Sequence, residues 1–201
     1  MKHVLLLAAL MQAPMTEPLV GRWDAEARSR GGLGTWMTLS ADHTCAQTSG
    51  AMVDGTWQLT GDRLTRKVSE GPGGSVHTED LMITVSEGTL TMQVGPDKRQ
   101  MTRVGQPSAR GPALVGVWSY PHPAGGTAYE DFEPDGRYLF RLPISTTLGT
   151  WRADQTQLHL TVNQQTRSFN WSINAGRLTL EHAGMRDVFR REATGLPSSN
   201  R

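Results

Sequence analysis

Side chains that could do chemistry are scattered along this 201-residue chain and form no known catalytic pattern. The sequence contains no Gly-x-Ser-x-Gly, His-Glu-x-x-His or Cys-x-x-Cys motif, and the Gly-rich stretch at residues 71–74 lacks a following helix pattern. Cys45 is the single cysteine, which excludes a disulfide framework and a multi-thiolate metal site within one chain. We therefore expect no catalytic residues, no metal and no cofactor, and we predict that the protein is not an enzyme.

A set of large side chains is the better candidate for a binding site. If the chain forms the alternating strands argued below, these side chains share inward faces and could line a cavity for a small ligand. The plain alternative is that they fill a solid core, as side chains do in narrow barrels. The set consists of Met37, Trp57, Tyr138, Phe140, Trp151 and Trp171.

Glu130 is the candidate that carries a charge. It shares a strand face with Phe132, which should be core. It is therefore either a polar handle inside a barrel, paired with Arg191 to orient a ligand, or a rim residue turned outward by a bulge.

Short β-strands are the elements that must position these residues. Apolar residues recur with period two, as in Leu158 and Leu160, and no 3.6-residue stripe of useful length occurs. Turn signals such as Pro134-Asp135-Gly136 separate the runs, giving about eight short strands in each half of the chain. The expected fold is all-β: two tandem small antiparallel up-and-down barrels, because closing a sheet removes its exposed edges. Two β-sandwiches are the alternative, since alternation does not distinguish them from barrels.

An internal repeat sets the predicted domain boundaries. Leu19-Val20-Gly21-Arg22-Trp23 recurs as Leu114-Val115-Gly116-Val117-Trp118, and Gly55-Thr56-Trp57 recurs as Gly149-Thr150-Trp151. Landmarks shared in the same order indicate duplication. The prediction is a first barrel at residues 19–104, a linker at 105–113, a second barrel at 114–192 and a disordered tail at 193–201.

This pattern resembles the lipocalin-like, calycin-type small β-barrel domains of bacteria. The resemblance rests on Leu-x-Gly-x-Trp at the start of each copy, a later Gly-Thr-Trp strand, and an Arg near the end of each copy. It implies that the first-strand tryptophan plugs one end of each barrel beneath a cation from the last strand. The expected structural pairs are Trp23 with Arg103 and Trp118 with Arg191. It also implies a small apolar or amphipathic ligand.

Charge and the N-terminus suggest a compartment and exclude some partners. Lys and Arg number 20 against 19 Asp and Glu, so the sequence carries no electrostatic footprint for nucleic acid. Residues 1–13 have the layout of a secretory signal peptide, and their apolar run is too short for a membrane span. A short strand or arm of a cytosolic protein is the alternative reading. No cysteine follows the run for lipid attachment, so we expect a periplasmic or extracellular protein.

Together these observations predict an exported, non-enzymatic lipocalin-like binding protein. Its expected ligand is a small apolar or amphipathic molecule. The alternative is a protein-interaction or inhibitor module with solid barrel cores and contacts made by loops.

Overall fold

The computed structural model describes residues 17–29, 31–69 and 75–192 and consists almost entirely of antiparallel β-strands. The all-β class predicted from the alternation is confirmed. The predicted signal peptide at residues 1–13 and the predicted tail at residues 193–201 lie outside the described residues. After a 3-10 turn at Glu17–Leu19, the strands are β1 (Gly21–Ala25), β2 (Leu33–Leu39), β3 (Thr44–Thr60), β4 (Arg63–Ser69), β5 (Val76–Ser86), β6 (Thr89–Val94), β7 (Asp97–Val104), β8 (Gly116–Pro121), β9 (Thr127–Phe132), β10 (Arg137–Ala153), β11 (Gln157–Val162), β12 (Gln165–Asn174), β13 (Arg177–His182) and β14 (Met185–Glu192).

Helical structure in the described ranges is limited to that three-residue turn. No helix there has the length and hydropathy needed to cross a membrane.

The strands form one sheet that closes on itself. Each strand pairs with the next one along the chain, and β14 returns to pair with β1. Strands β3 and β10, each 17 residues long, also pair with each other from Thr44↔Thr150 to Thr56↔Arg137. This cross-pairing divides the closed sheet into two rings. The terminal lobe comprises β1, β2, the first half of β3, the second half of β10 and β11–β14, and the central lobe comprises the remaining halves of β3 and β10 with β4–β9.

The two sequence repeats are interlaced and do not form two separate tandem barrels or two sandwiches. Strands β1 and β2 of the first repeat complete a ring with β11–β14 of the second, so residues 19–104 and 114–192 are not independent barrels. Residues 105–113 are not an interdomain linker, because the flanking strands β7 and β8 are paired neighbours, with Thr102 opposite Ser119. The repeats present equivalent faces, so alternation alone does not decide which copy supplies a strand's neighbour. Each repeat has seven strands instead of about eight, yet each lobe has eight segments because β3 and β10 serve both.

Each lobe has its own apolar core, drawn from both repeats. The terminal-lobe cluster joins Leu39 and Cys45 to Trp151 and Leu178. The central-lobe cluster likewise includes residues from both sides of position 105. The burial of these two faces on one continuous sheet is what stabilises the interlaced arrangement.

A register shift lets β10 serve both cores. The pairing with β3 is interrupted between Pro143 and Ser145. Before the shift the even-numbered Tyr138 belongs to the central-lobe core, and after it the odd-numbered Trp151 belongs to the terminal-lobe core. Proline lacks the N–H needed for a regular ladder, so a bulge is where a strand accommodates it.

The glycines of the recurring Gly-Thr-Trp motif have the same structural cause in both repeats. A Cβ on Gly55 would lie well inside contact distance of the Lys67 carbonyl oxygen, and one on Gly149 would do the same at Thr161. Only glycine permits the backbones to approach this closely in β3 and β10. The motif therefore lies where each long strand begins to pair with the strand that follows it, β3 with β4 and β10 with β11.

Candidate functional site

A buried tryptophan with an arginine across its ring lies at the first strand of each repeat. Trp23 and Trp118 are fully buried, and each indole N–H donates to a carbonyl oxygen four residues earlier, at Leu19 and Leu114 respectively, over 2.8 Å. The Arg191 guanidinium lies 4.3 Å from the centre of the Trp23 ring, and that of Arg103 lies 4.0 Å from that of Trp118. These distances are those of cation–π contacts.

The partners of the two tryptophans are exchanged relative to the sequence expectation. Trp23 was expected to meet Arg103 and Trp118 to meet Arg191, and both pairings are wrong. The reason is the interlacing: Trp23 on β1 pairs directly with Arg191 on β14, and Trp118 on β8 with Arg103 on β7.

Glycine in the Leu-x-Gly-x-Trp motif makes room for this cation. Gly21 and Gly116 have φ of +139° and +127°, which L side chains rarely adopt. A Cβ at either position would lie 2.8 or 2.7 Å from the guanidinium nitrogen of Arg191 or Arg103. The same arginines donate to the carbonyl oxygens of Val20 and Val115. The motif thus forms a structural unit with the arginine of the neighbouring strand in each lobe.

The interior of the central lobe contains a connected group of charged and phenolic side chains. Arg66 on β4 lies 2.6 Å from Oε2 of Glu130 on β9 and donates to the Tyr138 hydroxyl over 2.9 Å. Arg99 on β7 lies 3.3 Å from Oε1 of Glu130 and 4.5 Å from the centre of the Tyr120 ring. Glu130 is 1% exposed, and burial together with the neighbouring Glu130 charge raises the pKa of Tyr120. Since both carboxylate oxygens are paired, this group fills and holds the central lobe.

Glu130 therefore lies inside a lobe, but the prediction that it pairs with Arg191 is wrong. Arg191 lies over Trp23 in the terminal lobe, and Glu130 pairs instead with Arg66 and Arg99. The interlacing again explains this, because Arg191 and Glu130 belong to the same repeat and to different lobes.

The side chains proposed from the sequence as a cavity lining are divided between the two lobes. Trp57 and Tyr138 are buried in the central-lobe core, and Phe140 packs against it. Met37 and Trp151 are buried in the terminal-lobe core, and Trp171 packs against that core. The structure therefore does not bring the set together at one site. Trp57, Trp151 and Trp171 each donate an indole hydrogen bond to a backbone carbonyl oxygen, as wall-forming residues do.

A pocket of 320 Å³ opens into the terminal lobe. Its lining comes from seven of the eight strand segments of that lobe, so it occupies the interior of the ring. Met37, Leu160 and Leu180 are 2–4% exposed and form its floor. A second pocket of 190 Å³ adjoins it and shares four lining residues with it: Gln47, Leu160, Arg167 and Phe169. The volume falls at the lower end of the range of small-molecule sites.

Sequence reasoning found only Met37 among the residues of this pocket. Gln47, Leu160, Phe169, Leu180 and Phe189 line it too. The alternation placed several of them on inward faces, but it gave no means of telling an open interior from a filled one. The lobes differ at equivalent positions of the two repeats, as at Leu160 and Arg66, and this difference is visible in the sequence once the repeats are aligned.

A charged cluster is buried on the face of the sheet opposite the lobe interiors. Arg141, 1% exposed, donates to Asp24 over 2.9 Å and links β10 to β1. Nearby, burial raises the pKa of Asp131 to about 6 and that of Glu133 to about 7, with Arg137 acting in the opposite direction on both. Arg141 and Asp24 form a structural ion pair, whereas burial opposes ionisation of the Asp131 and Glu133 carboxyl groups.

Metal binding has no donor set in the parts of the chain that the structure describes, where no group of three or more His, Cys, Asp or Glu side chains is placed to hold an ion. Burial raises the pKa of the Cys45 thiol, so it is held protonated and inert.

Comparisons with protein-family models, with curated proteins and with solved structures found no match for this chain.

Proposed function

We propose that this protein is a non-catalytic binding protein that holds one small amphipathic molecule in the pocket of the terminal lobe. The lipocalin-like resemblance of the sequence fits this proposal, because such domains use a closed antiparallel sheet as a container. The central lobe acts in this proposal as a solid scaffold.

One observation carries the proposal: the 320 Å³ interior pocket, with a buried apolar floor and a polar mouth. Its floor consists of Met37, Leu160 and Leu180. Arg167 and Asp187 stand at its exposed rim. A concave, largely apolar space with a few polar groups is the usual form of a small-molecule site.

The test is binding of N-phenyl-1-naphthylamine, a neutral probe that fluoresces in apolar surroundings. We expect saturable binding by the full chain with one site. Gln47→Phe should weaken this binding at least tenfold, because it places an aromatic ring in the pocket. The fold already accommodates this ring: Gln47 lies opposite Met37, and its counterpart Phe140 lies opposite Glu130 in the central lobe.

The matched control is Gln58→Phe, the same change on the exposed face of the same strand. It should leave probe binding unchanged. Absence of saturable binding by the unmodified chain, or equal loss in both variants, would reject the proposal and leave the loop-based interaction module as the better reading.

Export of the protein remains part of the proposal. N-terminal sequencing of protein recovered from its host tests it: a mature chain starting near Pro14 supports export, and an intact Met1 contradicts it.

A further inference from the structure

The wall of the terminal-lobe pocket on β2, β3 and β10 consists of two rows of side chains in register. Thr35 lies opposite Ser49, and Ser49 lies opposite Ser145. In the next row Gln47 lies between Met37 and Thr147. Directly opposed residues of an antiparallel pair have neighbouring side chains, so the hydroxyl groups and the Gln47 amide form one contiguous patch.

These polar groups are not used by the protein itself. Across the described ranges 17–29, 31–69 and 75–192, the side chains of Thr35, Gln47, Ser49, Ser145 and Thr147 have no hydrogen-bond partner. They therefore present several unoccupied donors and acceptors to the pocket.

The equivalent rows of the central lobe show that the fold does not require polarity here. Ser145 corresponds to Ala51, because these residues oppose Ser49 and its counterpart Leu142. Thr147 corresponds to Val53, which lies opposite Phe140 as Thr147 lies opposite Gln47. Two positions that are apolar in the central lobe thus carry hydroxyl groups in the terminal lobe.

The opposite wall of the pocket combines apolar side chains with one charge of each sign, since Arg167 lies opposite Leu160 and Asp187 lies opposite Leu180. Phe169 on β12 and Phe189 on β14 line it, above the floor of Leu160 and Leu180. The charges of Arg167 and Asp187 are opposite in sign and exposed, so the lining has no formal net charge, and a carboxylate or ammonium group placed between the floor residues would lose its hydration.

From this two-sided lining we infer that the ligand is a neutral amphiphile: a short hydrocarbon portion with several hydroxyl groups at one end, such as a glycoside. This inference rests on the proposed function and adds the ligand class. The hydrocarbon portion lies on the floor and against the phenylalanines. The hydroxyl groups exchange hydrogen bonds with Gln47, Ser49, Ser145 and Thr147.

The experiment measures heats of binding of the full chain with hexyl β-D-glucopyranoside, 1-hexanol, hexanoate and glucose. Hexyl glucoside should bind at least tenfold more tightly than each of the other three, since the tail and the head group each supply only part of the contacts. Binding of hexyl glucoside no tighter than that of 1-hexanol, or tighter binding of hexanoate, overturns the inference.

The variant Ser145→Ala/Thr147→Val copies the central-lobe residues and removes two hydroxyl groups with little change in volume. It should weaken hexyl glucoside binding about tenfold, while its affinity for N-phenyl-1-naphthylamine stays the same. Thr150→Val, an exposed position on the same strand, is the control and should change neither. An unchanged affinity for hexyl glucoside in the double variant overturns the inference.

The binding function and the ligand class can be contradicted separately. If the naphthylamine probe binds and hexyl glucoside shows no preference, the ligand class is wrong and the binding function stands. If neither binds, both are wrong.

Discussion

The two lobes have the same strand order and the same tryptophan plug, yet their interiors differ in chemistry. At the position opposite the plug tryptophan, the terminal lobe has Met37 and the central lobe has Glu130. Opposite the Gly-Thr-Trp tryptophan, the terminal lobe has Leu160 and the central lobe has Arg66. The difference shows that one backbone arrangement accepts either an apolar lining or a paired charged one, provided that every buried charge has a partner.

Side-chain volume explains why the pocket lies in the terminal lobe. Cys45 and Tyr138 are equivalent, since they oppose Leu39 and Phe132 respectively. The Tyr138 phenol ring and the Arg66 side chain are larger than their terminal-lobe counterparts, Cys45 and Leu160, and Leu160 lines the pocket. The comparison teaches that equivalent positions of a duplicated fold can hold side chains of very different volume on the same backbone arrangement.

The largest expected effect is the loss of folding when the two repeats are separated, because each lobe contains strands of both repeats. Two fragments produced by cutting within residues 105–113 should each remain unfolded alone, because each lacks strands of both lobes. Mixed in equal amounts, they should recover the near-ultraviolet circular dichroism of the intact chain. A cooperative unfolding transition in either isolated fragment would show that the repeats fold separately.

The tryptophan plugs should be equally important in the two lobes. Trp23→Ala and Trp118→Ala should each lower the free energy of unfolding by about 3–5 kcal/mol, as large-to-small core substitutions do. Denaturant titration measures both values. A loss below about 1 kcal/mol in either variant would contradict the assignment of that tryptophan to the core. The substitutions Arg103→Lys and Arg191→Lys keep the positive charge, so each should cost less stability than the alanine substitution of the tryptophan that it contacts.

The charged interior of the central lobe can be converted to the lining of the terminal lobe. Glu130→Met alone should destabilise the protein by about 3 kcal/mol, because it leaves Arg66 and Arg99 without their shared carboxylate. Adding Arg66→Leu should recover part of that loss, since a buried ion pair can be replaced by apolar groups at small cost. A double variant less stable than Glu130→Met would contradict this account of the difference.

The smallest expected effect is a pH dependence of stability that arises from the buried charged cluster containing Asp131 and Glu133. Burial raises the pKa of Glu133 from 4.5 to about 7, so the folded state holds a proton that the unfolded state releases between these values. Stability should therefore fall as the pH rises from about 4.5 to 7, and more so because Asp131 and Glu192 are shifted in the same direction. The variant Glu133→Gln should show a shallower decline of melting temperature across this range; a decline as steep as that of the unmodified chain would exclude Glu133 as a cause.

Part of this fold could be predicted from the sequence, because strand alternation and buried tryptophans leave local signals. The inward phase of Leu158 and Leu160 follows from period two alone. The neighbour of a strand is a long-range property: nothing in the residues around Trp23 says that Arg191 will lie across it and that Arg103 will not. The shared Leu-x-Gly-x-Trp landmarks make both pairings locally equivalent, and the observed pairing accompanies the long strands β3 and β10, which run through both lobes.

The site was harder to predict than the fold for a related reason. Residues such as Gln47 and Ser49 are short polar side chains that ordinarily lie on a solvent face. In the proposed site they form one patch because β2, β3 and β10 place them in register on one wall of the pocket. Whether an interior is open depends on the summed volumes of the side chains around the ring, and no single residue of the sequence gives that sum.

The most direct test of a ligand site in the terminal lobe uses the methionine methyl groups as reporters in a nuclear magnetic resonance titration. Met37 and Met185 line the terminal-lobe pocket, whereas Met92 and Met101 lie in the central-lobe core. On titration with N-phenyl-1-naphthylamine, the methyl signals of Met37 and Met185 should shift saturably and those of Met92 and Met101 should not. Saturable shifts confined to Met92 and Met101 would place the ligand in the central lobe and contradict the account.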